Sequence, residues 1–364
     1  MSTKLLLLSR YGPLGPSSRV RSYQYLPYLR AKGIEVTVAP LLGDDYVKDF
    51  YAGRRKNLGA IFRAYIRRLG YLLKSSRFDM LWVEYEILPW LPAWGEEILA
   101  CLGVPYIVDY DDAVFHRYGM HPKTIVRSVL GGKIDAIMRR AALVIAGNEY
   151  LADHAWRAGA KRVEYIPTVI DLDRCRITPR EENAIFTIGW IGSPITAEYL
   201  HLVRSALAEL CKNGSARLVL VGSGQLELHD VPTEIHAWSE EMEVADIRSF
   251  DVGIMPMPDD PWTRGKCGYK LIQYMACARP VIASPVGAAR QIIEDNRNGF
   301  LATTTTDWIR AFCVLRDNHI LRERMGKAGR IKVERQYCIQ VTAPLMVSLI
   351  REIVKEFSPP SFGA

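Results

Sequence analysis

At 364 residues the chain is longer than one hydrophobic core normally fills, so two domains are expected. A composition of 49% hydrophobic and 24% charged residues, with no low-complexity run, excludes a disordered or fibrous protein. The net charge of +7 hides an asymmetry: residues 1–78 hold 15 Lys/Arg against 4 Asp/Glu, so a polyanionic or membrane-surface partner is expected for that stretch alone.

The opening MSTKLLLLSR has only four leucines before Arg10 and does not read as a signal peptide. No run approaches the roughly 20 apolar residues of a membrane span. The seven scattered cysteines show neither a CxxC pair nor a zinc spacing, which points to a reducing cytoplasm.

Short apolar runs at Leu5–Leu8, Val36–Ala39, Met80–Val83, Tyr106–Val108 and Leu143–Ala146 predict buried strands. Helical patterns lie between them near 18–32, 54–76, 88–102, 122–140 and 148–158. The alternation pauses at Thr168–Asn183, polar and aperiodic, which reads as a linker. It restarts with strands at Ile185–Trp190, Leu218–Val221, Val252–Met255 and Val281–Ala283, and ends in a helical pattern at about 339–357. The tail SPPSFGA reads as disordered. The expectation is an α/β fold of two Rossmann-like, doubly wound domains, 1–170 and 184–336, facing across a cleft, with 337–357 as a separate final helix.

The candidate motifs all follow strands, where open α/β sheets bind ligands. In the first loop (SRYGPLGPSSR), Gly12 and Gly15 permit close backbone approach, Ser17 or Ser18 can cap the next helix, and Arg19 adds a charge. Gly15, Ser18 and Arg19 are therefore cleft candidates, although an ordinary capped turn has the same pattern. The segment 54–76 carries Leu58, Ile61, Phe62, Tyr65, Ile66, Leu69, Leu72 and Leu73 at helical spacing among seven cations. It can lie on an anionic bilayer, or pack its apolar stripe on the sheet with the arginines solvated. Nucleic acid is not expected, since no recognition motif accompanies the charge.

Three carboxylates crowd at Asp109-Tyr110-Asp111-Asp112. A DxD metal motif is disfavoured here, because that architecture has a single nucleotide-binding domain; Asp111 or Asp112 is expected to orient a sugar or acceptor hydroxyl. His116 is a further candidate, as is Asn148, which also suits a helix N-cap. In the second half, Gly192, Ser193 and Thr196 open a strand–loop–helix unit suited to phosphate oxygens. Gly222 opens a Gly-Ser-Gly turn lacking the GK[ST] of an ATPase loop.

The richest stretch is Asp251–Gly287 (DVGIMPMPDDPWTRGKCGYKLIQYMACARPVIASPVG), where Arg264, Lys266 and Lys270 surround Gly265 and Gly268 at a helix start. Such an arrangement is suited to an anion, most simply a diphosphate.

The chain resembles the GT-B glycosyltransferases, specifically the large retaining family numbered four. The resemblance rests on SRVRSYQYLPYLRAKGIEVTVAP, IPTVID (Ile166–Asp171), VLVGSG and the segment ending YMACARPVIASPVG. It implies a nucleotide-sugar bound by the second half, an acceptor against the first, and a last helix crossing back onto the first domain. Two positions depart from the family's E-x7-E acids, which fall on Gly265 and Gln273 here. Gln273 can still hydrogen-bond ribose hydroxyls, and the resemblance leaves Asp259, Asp260 or simply backbone N–H groups to take the place of the lost acid. The family's early Arg/Lys pair is replaced by GSPIT, and its first-half histidine aligns with Asp111.

The reading that follows is sugar transfer from a nucleoside-diphosphate sugar to a hydroxyl of a glycan or lipid-linked acceptor, with retention. Lys266, Lys270 and Ser193 would stabilise the leaving phosphate without a metal or other cofactor, and Asp111 or Asp112 would position the acceptor. A nucleotide-sugar-binding protein without catalysis, a nucleotide-sugar epimerase and a plain interaction protein are the alternatives.

Overall fold

In the computed structural model, which describes residues 2–177 and 184–358, the chain divides into two compact units: Met1–Thr168 with Thr342–Ala364, and Val169–Val341. Part of the expected linker (178–183) and nearly all of the expected disordered tail (359–364) lie outside the described residues.

The first unit holds one parallel sheet of β1 (Thr3–Leu8), β2 (Ile34–Val38), β3 (Met80–Glu84), β4 (Tyr106–Tyr110), β5 (Leu143–Ala146) and β6 (Val163–Tyr165), in the order β2-β1-β3-β4-β5-β6. Strands β3, β4 and β5 are buried along their whole length, which is why they read as unbroken apolar runs. The chain reverses direction across the sheet between β1 and β3, so the loops after these two strands flank the topological switch point.

The second unit repeats the plan with β7 (Phe186–Ile191), β8 (Ala216–Val221), β9 (Thr233–His236), β10 (Val252–Met255), β11 (Val281–Ala283) and β12 (Gly299–Leu301). Their order, β12-β11-β10-β7-β8-β9, is the Rossmann order, with its switch point between β7 and β10. Two apolar layers cover its faces. One gathers Trp190, Leu207, Leu218 and Phe312; the other gathers Phe250, Leu271, Tyr274, Met275 and Val333. Gly189 and Gly253 pair across the switch point, and an aromatic ring occupies the space beside each where a side chain would stand. A Cβ at Gly189 would sit 1.9 Å from the Phe250 ring, and one at Gly253 2.2 Å from that of Tyr274.

Several helices differ from expectation for visible reasons. The pattern at 122–140 forms two helices, Thr124–Leu130 and Lys133–Arg140, broken at Gly131 and Gly132. The pattern at 88–102 becomes helical only at Trp94, after Pro89 and Pro92. The first helix is Pro16–Arg21, capped by Gly15 with no side-chain bond, so neither Ser17 nor Ser18 caps it. Helix Leu58–Leu73, capped by Asn57 on the Ala60 amide at 3.0 Å, buries Ala64, Arg68 and Leu72 rather than its longest apolar row. Of the two readings of this segment, the one in which the row packs on the sheet with its arginines solvated does not describe this helix.

The final helix runs Ile339–Phe357. From Thr342 onward it belongs with the first unit. There Thr342 Oγ1 lies 2.9 Å from the Tyr25 hydroxyl, and Glu352 accepts from Arg162 at 3.0 Å.

Candidate active site

At the switch point of the second unit, the β7–β10 ladder covers only Ile188↔Val252 and Gly189↔Gly253, although both strands run on for two more residues. Beyond that pair the strands part, and the Tyr274 hydroxyl fills the gap. It accepts from the Ile191 amide at 3.0 Å and donates to the Ile254 carbonyl at 3.3 Å. Two backbone groups that the ladder abandons are thus satisfied by one buried side chain.

The loop after β7 turns at Gly192 into the short helix Pro194–Ala197. Thr196 Oγ1 lies 3.5 Å from Ser193 Oγ, and Lys270 Nζ donates to Thr196 Oγ1 at 3.4 Å. The Lys270 ammonium also lies 5.1 Å from the centroid of the buried Trp190 ring, an additional cation–π attraction. A Cβ at Gly192 would come within 2.7 Å of Lys270 Cε, so glycine is what lets the lysine cross this turn. Gly222 is left-handed (φ +76), and a Cβ there would sit 2.5 Å from the Gly192 carbonyl oxygen. Gly192, Ser193, Thr196, Gly222 and Lys270 are therefore brought together at the carboxyl ends of the strands.

The β10 loop supplies the remaining cations differently. Arg264 pairs with Asp259 at 2.6 Å, an exposed contact that holds the Asp259 carboxyl below its usual range. Asp260 caps helix Pro261–Arg264 in a reciprocal box with Thr263. Both aspartates thus have structural partners here. Lys266 lies over the Trp262 ring at 5.4 Å. Helix Tyr269–Ala276 starts from left-handed Gly268 with no side-chain cap. A helix start of this kind is where an anion is ordinarily received. Gln273 is buried one turn on from Lys270, and its side chain makes no hydrogen bond among the described residues.

The switch point of the first unit is built from acids instead. Glu84 ends β3 and is buried, accepting from Ser18 Oγ at 2.7 Å and the Arg10 amide at 2.8 Å. Burial pushes its carboxyl up to about 7, against the pull of those two donors. Ser18, expected to face the cleft, is instead fully buried and serves to hold Glu84. Glu86 receives Lys133 Nζ at 2.6 Å and the Tyr118 hydroxyl at 2.9 Å. Arg68 donates to the Ser9 carbonyl at 2.6 Å, and burial pulls it down to about 10.

Of the three crowded aspartates, Asp109 is taken by Arg21 through Nε and Nη2 at 3.0 and 2.7 Å. Burial still pushes Asp109 up to about 6, against the attraction of Arg21. Asp111 accepts from the hydroxyl of Tyr85, a residue held at φ +60 where β3 ends. Asp112 stands next, its carbonyl accepting from the Val114 amide at 2.8 Å.

The remaining first-unit candidates have local roles. His116 Nε2 lies 2.8 Å from the Tyr150 hydroxyl. Asn148 is the expected N-cap, buried and accepting from the Leu151 amide at 2.9 Å. Gly15 is required sterically, since a Cβ would sit 2.4 Å from Tyr11 Cβ. Arg19 is half-buried on helix Pro16–Arg21. Sequence reasoning missed Glu84, Glu86, Arg21, Lys133 and Tyr274, whose partners lie 20 to 147 residues away along the chain.

Residues 183–318 match the family described as Glycosyl transferases group 1. Two curated relatives are D-inositol 3-phosphate glycosyltransferases. The one from Pseudarthrobacter chlorophenolicus is 30% identical over 110 residues, covering 30% of this chain and 25% of its own length. The one from Paenarthrobacter aurescens is 31% identical over 115 residues, covering 31% and 27%. The matched stretch thus spans about a quarter of those relatives.

Among solved structures, sucrose-phosphate synthase from Thermosynechococcus elongatus superposes with a TM-score of 0.72 at 15% identity, covering 97% of this chain and all of that one. Anabaena HepE in complex with UDP-glucose superposes with a TM-score of 0.68 at 15% identity, covering 96% and 99%. The fold is that of the GT-B glycosyltransferases, two α/β domains with parallel six-stranded sheets. The stretch similar to that glycosyltransferase family, residues 183–318, falls within the second unit.

Proposed function

We propose that the chain transfers a sugar from a nucleoside-diphosphate sugar to an acceptor hydroxyl, with retention of anomeric configuration, as a branch of family four. The observation that carries this reading is the convergence of Ser193, Thr196 and Lys270 with two close-packed glycine turns at the carboxyl ends of β7 and β8. Neutral hydroxyls, an ammonium and bare backbone beside the uncapped helix at Gly268 suit a diphosphate. When the bond from the sugar's anomeric carbon to the phosphate oxygen breaks, that oxygen keeps the electron pair. Lys270, Lys266 and the helix amides stabilise the charge, so no metal or other cofactor is needed. The acceptor oxygen bonds to the anomeric carbon from the leaving-group face, and its proton passes to the departing phosphate. Asp111 and Asp112 orient that acceptor, and Gln273 meets the ribose.

The acceptor is a glycan or a lipid-linked glycan in cell-surface assembly. The protein works at the cytoplasmic face of the membrane, reached through the basic segment 54–76. No helix among the described residues is long and apolar enough to cross a membrane.

The glycine and amide at positions 265 and 273 favour one second reading, a protein that binds the donor without consuming it. Incubation with UDP-, GDP- and ADP-sugars, with and without acceptor lipids, separates the two. Nucleotide release that depends on acceptor is the expected result. Tight donor binding without release establishes the second reading, and unimpaired transfer by both Lys266→Ala and Lys270→Ala removes the phosphate assignment.

A further inference from the structure

Helix Leu58–Leu73 turns its longest apolar row outward. Leu58, Phe62, Ile66, Leu69 and Leu73 are 75%, 67%, 52%, 39% and 82% exposed, a continuous stripe at i, i+4, i+8, i+11 and i+15. Soluble surfaces rarely carry so long a contiguous apolar row unless something covers it. The side chains buried beneath are Ala64, Arg68 and Leu72.

At about 100° per residue, the exposed row lies beside Leu72 on the helix circumference, whereas Arg63, Arg67 and Lys74 lie on the far flank. What adjoins Leu72 is a second helix, Trp94–Cys101. A Cβ at its Gly95 would be 3.4 Å from Leu72 Cδ1 and 3.1 Å from Ile87. That second helix also turns an apolar row outward, Trp94, Ile98 and, at its end, Leu102, again at i, i+4 and i+8. The loop leading into it exposes Trp90 and Leu91.

This loop is pinned from beneath. The Tyr65 hydroxyl donates to the Pro89 carbonyl at 2.7 Å, Lys133 donates to the Leu88 carbonyl at 2.7 Å, and the Trp90 amide donates to the Tyr118 hydroxyl at 3.0 Å. Trp90 is held at φ +63, a conformation that a bulky residue adopts only when its surroundings impose it.

We propose that these two rows and the Trp90 loop form one platform that lies on an anionic bilayer, and that the acceptor is lipid-linked and reaches the first unit from that bilayer. The charge pattern selects the occupant: exposed Arg55, Lys56, Arg63 and Lys74 flank the apolar rows, matching anionic headgroups around inserted side chains. Trp90 and Trp94 sit where amphipathic rings anchor at a membrane interface. The loop bearing Trp90 follows β3, so it belongs to the switch point of the first sheet, at whose start lie Glu84 and Tyr85. A platform continuous with that edge brings an embedded acceptor's headgroup to the acidic end of the sheet. This last step rests on the transferase reading, whereas the docking does not.

The test uses the full chain with vesicles of phosphatidylcholine alone or with phosphatidylglycerol, at low and high salt. Co-sedimentation and tryptophan emission are measured, and donor release is followed with a membrane-embedded and a short water-soluble acceptor. Binding is expected on anionic vesicles only, weakened by salt, with a blue shift in emission. Phe62→Asp with Leu69→Asp, and separately Trp94→Asp with Ile98→Asp, should each weaken vesicle binding about tenfold or more. Their substituted positions are exposed, so the melting temperature should hold. Both pairs should lose transfer to the embedded acceptor and keep transfer to the soluble one.

Failure of the wild type to bind anionic vesicles at low salt overturns the platform. So does unchanged binding by either pair, or a wild-type dimer that the same substitutions convert to monomer, since the face is then a contact between two copies. Vesicle binding with equal transfer to both acceptors in every variant overturns lipid delivery alone. Vesicle binding with no donor release under any condition sinks the transferase reading and leaves the platform standing.

Discussion

The two switch points fall at different places in their strand orders and differ in charge. In the second unit the crevice between β7 and β10 is lined by glycine turns, hydroxyls and Lys270, while the nearby acids are engaged, Asp259 with Arg264 and Asp260 as a cap. In the first unit the strand ends carry Glu84, Glu86 and Asp109, and the cations Arg21, Arg68 and Lys133 are spent on holding this edge together inside the fold. On the first edge the cations are spent inside the fold, whereas on the second Lys270 meets a neutral hydroxyl. The contrast teaches that cation count along the chain is a poor guide to anion binding: the more basic stretch of sequence holds the more acidic site.

Breaking an internal pair in the first unit gives the largest expected effect. Lys133→Ala leaves Glu86 buried without its ammonium and should cost about 3–5 kcal/mol in urea unfolding, as should Arg21→Ala beside Asp109. A loss below about 1 kcal/mol in both would show that water reaches this edge and that the contrast is overstated.

Lys270→Ala comes next. On the proposed phosphate role it should lower kcat/KM for the donor about a hundredfold or more with little change in melting temperature, because the ammonium meets a neutral hydroxyl and an aromatic face rather than a buried acid. A large stability loss with normal turnover would reverse its assignment.

The third effect depends on pH. Glu84 is raised to about 7 in the folded chain from an ordinary 4.5, so the native state holds a proton that the unfolded chain has released. This group's contribution is therefore most favourable below about pH 4.5 and is lost as pH rises through 7, by about 3 kcal/mol in all. Glu84→Gln should remove that slope. Denaturant midpoints of the two proteins at pH 5 and pH 8 measure it, and parallel curves would mean that Glu84 is ionised throughout.

The smallest effect belongs to Arg264→Ala, whose exposed contact with Asp259 should be worth under about 1 kcal/mol to stability. If its removal changes donor affinity severalfold while stability holds, Arg264 joins Lys270 at the phosphates.

Most of the fold was legible because buried parallel strands announce themselves as apolar runs. Leu143–Ala146, Val252–Met255 and Val281–Ala283 fall where the pattern puts them, and so does the final helix. The edge strands β6 and β12 were not legible. Each is three residues long and partly exposed, so neither produces an apolar run. In the site, the glycine turns after β7 and β8 stood out because strand, glycine and helix follow one another locally. Glu84 and Glu86 did not: in WVEYEIL they look like polar residues leaving a strand, and only partners far along the chain reveal them as buried acids. Ser18 was misread for the same reason, its hydroxyl being claimed by a carboxylate 66 residues away.

The hydroxyl of Tyr274 sets a dimension. Between Ile191 and Ile254 it is the spacer that keeps two diverging strands a fixed distance apart, just where the crevice opens. Its helix also carries Lys270 one turn earlier, so the position of the ammonium is registered to the width of the gap. Phenylalanine at 274 would fill the same volume and leave an amide and a carbonyl facing nothing, free to approach each other or admit water. One oxygen atom thus acts as the gauge block for the whole carboxyl edge of the second sheet.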